Sequence, residues 1–130
     1  MASLRATINL LSTDLISTSD LSLEVQSELS PTHGGIVKAV VKATAKGTDA
    51  TTLYTGDDFA AIAYLYIKNL DTTATDYVWI YDDSTSGDPR LLKLAGGDWA
   101  WLPLVGDYTV RAYATTNPTD IEYGVFGVDQ

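Results

Sequence analysis

The chain has 130 residues, 45% of them hydrophobic, a formal net charge of −9 and no cysteine, enough for one domain whose core needs neither metal nor disulfide. Its 17 acids outnumber 8 lysines and arginines that do not cluster in sequence, which excludes a phosphate-backbone partner: no nucleic acid and no anionic membrane are expected. The acidity itself serves solubility.

Residues 1–20 read as an N-terminal arm or edge strand. Leu4, Ile8, Leu11 and Leu15 fall on a helical stripe, whereas Ala6, Ile8 and Leu10 among Thr and Ser suit extended chain, and the extended form is expected. The segment lacks the charged start and unbroken apolar run of a secretory signal. No stretch is long enough to cross a bilayer as a helix. Leu21–Leu29 alternates, with Leu21, Leu23, Val25 and Leu29 expected inward and Ser22, Glu24, Gln26 and Glu28 outward. It reads as the first strand of a sandwich domain spanning 21–130. Pro31 to Gly35 forms a turn carrying His33, the single histidine.

Ile36–Ala45 is rich in β-branched residues and reads as a strand, and Thr51–Thr55 as a short one before the Gly56-Asp57-Asp58 turn. Ala60–Leu70 is the central strand, apolar on both faces: Ile62, Tyr64 and Tyr66 on one, Ala61, Ala63, Leu65 and Ile67 on the other. Tyr77–Tyr81 reads as its returning partner in a hairpin or meander. After the polar loop Asp82–Pro89 come Arg90–Leu94 and Trp99–Leu104, where Pro103 removes a ladder donor and argues for an edge strand or bulge. Tyr108–Thr115 and Ile121–Val128 complete about nine or ten short strands. The expected fold is all-β: a single antiparallel β-sandwich, jelly-roll-like.

Catalytic chemistry finds no residues. His33 lies in a turn without a nucleophile motif to serve. The acids Glu24, Glu28 and Glu122 form no acid–base pair for glycoside chemistry. Asp82 to Gly87 mimics the start of an EF-hand loop, but Lys93 stands where a bidentate Glu is required. Calcium between Asp57, Asp58, Asp82, Asp83 and Asp88 is explained more simply by polar turns. The protein is therefore expected to be no enzyme, with no catalytic residue, cofactor or metal. Its aromatic residues are the richest feature. Most suit core or cross-strand roles, including Tyr64, Tyr66 and Trp79, while Trp99 and Trp101, two residues apart beside Pro103, suit a surface patch.

The succession AYLYIKNLDTTATDYVWI, LLKLAGGDWAWLPL, YTVRAYATTNPTDIEYGVFG resembles small accessory virion proteins of tailed bacteriophages over roughly residues 60–128. The shared pattern is a strand, a Lys-Asn-Leu turn, an aromatic strand, Leu-x-x-Gly-Asp, aromatic-x-Leu-Pro-Leu and Ala-Tyr-Ala and Glu-Tyr strands. The resemblance implies a β-sandwich that cements or decorates a capsid, or sits at the neck or tail. It would be a homo-oligomer, a trimer first, whose partners are the major capsid protein or other virion proteins. The implied location is the virion, on the capsid surface, after assembly in the host bacterial cytoplasm. The expected contacts are Trp99, Trp101 and Leu102 on the edge-like strand and Leu4, Ile8 and Leu11 on the arm. The alternative is a carbohydrate-binding, lectin-like module using Trp and Tyr platforms.

Overall fold

The computed structural model describes residues 3–13, 21–32, 34–44, 49–83, 87 and 89–129. They form ten strands, and the chain divides into two compact units, Met1–Pro31 and Thr32–Gln130. His33, Leu15 and Asp88 lie outside the described residues.

The first unit is a β-hairpin. β1 (Leu4–Ser12) pairs antiparallel with β2 (Leu21–Leu29), in register from Leu4 opposite Leu29 to Ser12 opposite Leu21. Residues 21–29 are a strand, as expected, but one that joins the arm and not the sandwich. Leu23 and Val25 are 45% and 52% exposed instead of buried. Alternation requires only that one face be apolar; it does not say which strand is the neighbour or what covers that face.

The second unit is a sandwich of eight strands. β3 (Ile36–Val41), β10 (Thr119–Asp129), β5 (Phe59–Asn69) and β8 (Trp99–Val105) lie in that order in one sheet. β4 (Thr51–Tyr54), β9 (Val110–Ala114), β6 (Val78–Asp82) and β7 (Arg90–Leu94) form the other. The pairing is nested: β3 with β10, β4 with β9, β5 with β8, β6 with β7. A chain folded in half between β6 and β7 and then rolled gives this order, and the pairs β5–β10 and β6–β9 complete each sheet. This is the jelly roll. The long apolar run is an inner strand and the Pro103 strand is an edge, as its missing donor requires. The expected hairpin between β5 and β6 is not formed, because residues 70–77 carry the chain to the opposite sheet, where β6 lies between β9 and β7.

The core is built by alternation. Phe59, Ala63, Leu65 and Ile67 of β5 meet Val78 and Ile80 of β6, Val110 and Ala112 of β9, and Ile121 and Val125 of β10, all buried. Each large aliphatic side chain removed from water contributes about 1.5–3 kcal/mol. The Lys-Asn-Leu turn has a structural explanation as well. Asn69 is fully buried; its Nδ2 donates to the carbonyls of Asp76 (2.8 Å) and Leu94 (3.2 Å), while its Oδ1 accepts from the amide of Asp71 (3.0 Å). One amide thus fastens three stretches of chain at one end of the sandwich.

The second apolar face of β5 is not core. Ile62 is 49% exposed, and Tyr64 and Tyr66 are half-buried on the outside of the sheet.

Candidate functional site

Three surfaces carry the unusual chemistry. The first is one face of the hairpin. The register puts Leu4, Ala6, Ile8 and Leu10 beside Leu21, Leu23, Val25 and Leu29, with Ser12 and Ser27 as the only polar members. The other face holds Arg5, Thr7, Asn9, Ser22, Glu24, Gln26 and Glu28, with Arg5 paired to Glu28 at 2.6 Å. Both partners of that pair are well exposed, so it contributes little. Strand geometry separates the expected arm trio: Leu4 and Ile8 share the apolar face, while Leu11, 74% exposed, lies on the polar one. A helical stripe would have kept them together.

The second surface is the outer face of the β3-β10-β5-β8 sheet. Trp99, Trp101, Pro103 and Val105 of β8 stand opposite Lys68, Tyr66, Tyr64 and Ile62 of β5. Tyr64 stacks on Trp101 (centroids 6.0 Å apart, planes at 21°), and Phe126 tilts against the other side of the cluster at 5.8 Å from Trp101. Gly124 makes room for it: a Cβ there would come within 2.9 Å of the Phe126 ring. Tyr66 Oη donates to Glu122 Oε1 at 3.0 Å, and partial burial followed by this carboxylate raises its phenol pKa. Trp99 is 53% exposed on the β8 edge; Ile36 and Val40, exposed to a similar degree, lie on β3 at the opposite edge of the sheet. Trp99 and Trp101 therefore share a patch. Leu102 does not join them, because alternation turns it inward to pack on the core. A shallow apolar depression lined by Ala61, Ile62, Pro103, Leu104, Val105 and Tyr108 continues the patch at one end.

The third surface was not anticipated from the sequence. Arg90, Lys93 and Arg111 are far apart or unpatterned in the chain, yet pairing of β7 and β9 with β6 gathers Arg90 and Lys93 around Trp79 and puts Arg111 opposite the neighbouring Tyr81. Only the register reveals it. Among the described residues, no group of three or more His, Cys, Asp or Glu side chains is placed to hold a metal ion.

No family model and no curated protein matches this chain. A solved structure of Bacillus endospore appendages, described as a novel family of disulfide-linked pili, contains a similar chain. It has 13% identity and a TM-score of 0.49, covering 75% of this chain and 87% of that one.

Proposed function

We propose that this protein is a non-enzymatic structural component of a tailed-bacteriophage virion, a capsid cement or decoration protein that bridges major capsid subunits, with a homotrimer as its working form. The observation that carries the reading is the hairpin. A two-stranded ribbon is marginal in water on its own; this one nevertheless has an uncharged face of seven Leu, Ile and Val side chains, three of them about half exposed. Such a segment gains most where a neighbouring protein covers it. Binding the assembled shell and not free subunits would stabilise the shell by mass action. The resemblance over residues 60–128 supports the phage setting and leaves neck or tail as the other location. Disulfide linkage has no counterpart here, since the sequence has no cysteine.

The test uses shells of the parent virion prepared without the protein. Adding it should raise the temperature at which shells break, and the double substitution Leu10→Lys with Val25→Lys should abolish co-sedimentation while leaving the circular dichroism of the sandwich unchanged. Shells that neither bind the protein nor gain stability would end this reading.

The second reading, a carbohydrate-binding module, draws on exposed Trp99. The Tyr64–Trp101 stack favours it less, because each of those rings already spends a face on its neighbour. Titration with glycans while following Trp fluorescence separates the two readings.

A further inference from the structure

The charges of the sandwich are segregated in a way the net charge conceals. The face of β9, β6 and β7 turned away from the core holds Arg111, Tyr113, Trp79, Tyr81, Arg90 and Lys93, with no carboxylate among them, and Tyr81 and Tyr113 are themselves buried there. Arg90 lies over the Trp79 ring at 4.6 Å from its centroid, and its Nε donates to Tyr113 Oη at 3.1 Å. Lys93 Nζ sits 3.7 Å from the Tyr77 centroid and 5.3 Å from that of Trp79. Arg111 is tied to Asp83 at 3.2 Å where β6 ends. Ring faces attract these cations and fix their position, but supply no lone pairs, so a carboxylate still gains by docking there. Both Arg90 and Lys93 are exposed on the edge strand β7.

Carboxylates gather elsewhere, at both ends of the sandwich: the Asn69 amide donates to the Asp98 carbonyl and the Leu70 amide to that of Asp120, which collects Asp71, Asp98 and Asp120 at one end, and a second group forms at the other. The turns at 55–58 and 106–109 lie side by side: the Gly56 amide donates to Thr109 Oγ1 at 3.3 Å, and a Cβ on Gly56 would strike the Asp107 carbonyl at 2.3 Å. Asp57, Asp58 and Asp107, all exposed, are thereby brought to that other end of the sandwich.

We infer that the Arg90/Lys93 face around Trp79 on one copy docks the Asp57/Asp58/Asp107 end of a second copy. The chain carries both halves of a complementary pair of surfaces, and these are two different patches. The contact is therefore head-to-tail, the kind that closes a ring when its rotation permits. A net charge of −9 does not forbid it, because the opposite charges in contact interact at a few ångströms, whereas most like charges on the two copies stay much farther apart. The inference rests on the reading of this protein as an assembly subunit and names the contact between copies.

The experiment is sedimentation of the full chain at low and high salt with two charge-reversed variants, Arg90→Glu/Lys93→Glu and Asp57→Lys/Asp107→Lys. The wild type should self-associate at low salt and dissociate as salt rises. Each variant alone should associate at least about tenfold more weakly, from loss of interfacial charge pairs. An equimolar mixture of the two should recover association between unlike variants, because each such contact again joins opposite charges, although a closed ring of three must keep one contact between like variants. Circular dichroism checks that both variants fold. A wild type that stays monomeric at low salt overturns the inference while leaving shell binding as a separate question. So does an oligomer indifferent to both reversals. If Arg90→Glu/Lys93→Glu instead lost retention on a sulfated-polysaccharide column with the oligomer intact, the face would be a polyanion site and the inference wrong.

Discussion

Tyr54 joins the core of the sandwich to its acidic end. Its ring meets Phe59 edge-on, centroids 5.6 Å apart and planes at 83°, and its hydroxyl donates to the Val105 carbonyl at 3.3 Å. Burial first, then the charges of Asp82 and Asp107, push its phenol well above the usual tyrosine range. The folded pKa is therefore higher than the unfolded one. The associated stability is fully present below about pH 10 and is lost as pH rises beyond it, because the unfolded chain ionises while the folded one does not. Above that point stability should fall by up to about 1.4 kcal/mol per pH unit for this one proton. Tyr54→Phe should cost about 1 kcal/mol near neutral pH through the lost hydrogen bond, yet flatten the alkaline decline. Urea denaturation at about pH 8 and about pH 11 reads both effects. Equal alkaline losses in the two proteins would show that Tyr54 is not the group responsible.

Among the elements, the hairpin makes the sharpest demand. Its strands share one ladder and a face of aliphatic side chains, so its amides have little to hold them in an isolated subunit. Hydrogen exchange should be fast across β1 and β2 in the free protein and slow once a partner covers the hairpin, as the shell would under the proposed function, while β5 and β10 are protected in both states. Protection of the hairpin in a free monomer would contradict this. What was legible in the sequence follows the same physics. Strand positions follow from period-two patterning and turn residues, which define Arg90–Leu94 to the residue and β8 to within one. Pro103 announced its edge through a missing donor. Partners were illegible, because Leu21–Leu29 would show the same alternation against any neighbour and YVWIY the same aromatic pattern in either sheet. For that reason the sequence groups Leu102 with Trp99 and Trp101, whose face it does not share, and carries no sign of the Arg90–Trp79–Lys93 cluster, which exists only through cross-strand register.

For the whole molecule, nested pairing has a kinetic consequence. Each strand of the first half waits for one from the second: residues 36–41 pair with 119–124, closing most of the sandwich into a single loop. β10 stands between β3 and β5, so it completes two ladders at once. Loop-closure entropy must be met before either ladder returns any stability, and a fold dominated by such non-local pairs forms in about milliseconds to seconds, not microseconds. Refolding of the full chain from urea, followed by Trp fluorescence, should fall in that range. Ending the chain after Pro118 should do more than remove a strand. Without β10, β3 loses its only partner among the described strands and the inner faces of Ala63, Leu65 and Ile67 lose the cover of Ile121 and Val125. The cooperative unfolding transition should then disappear altogether. A truncated protein that kept a sharp transition would mean that the core is organised by β5, β6 and β9 without the closing strand, and that the nested order describes the finished fold but not what holds it.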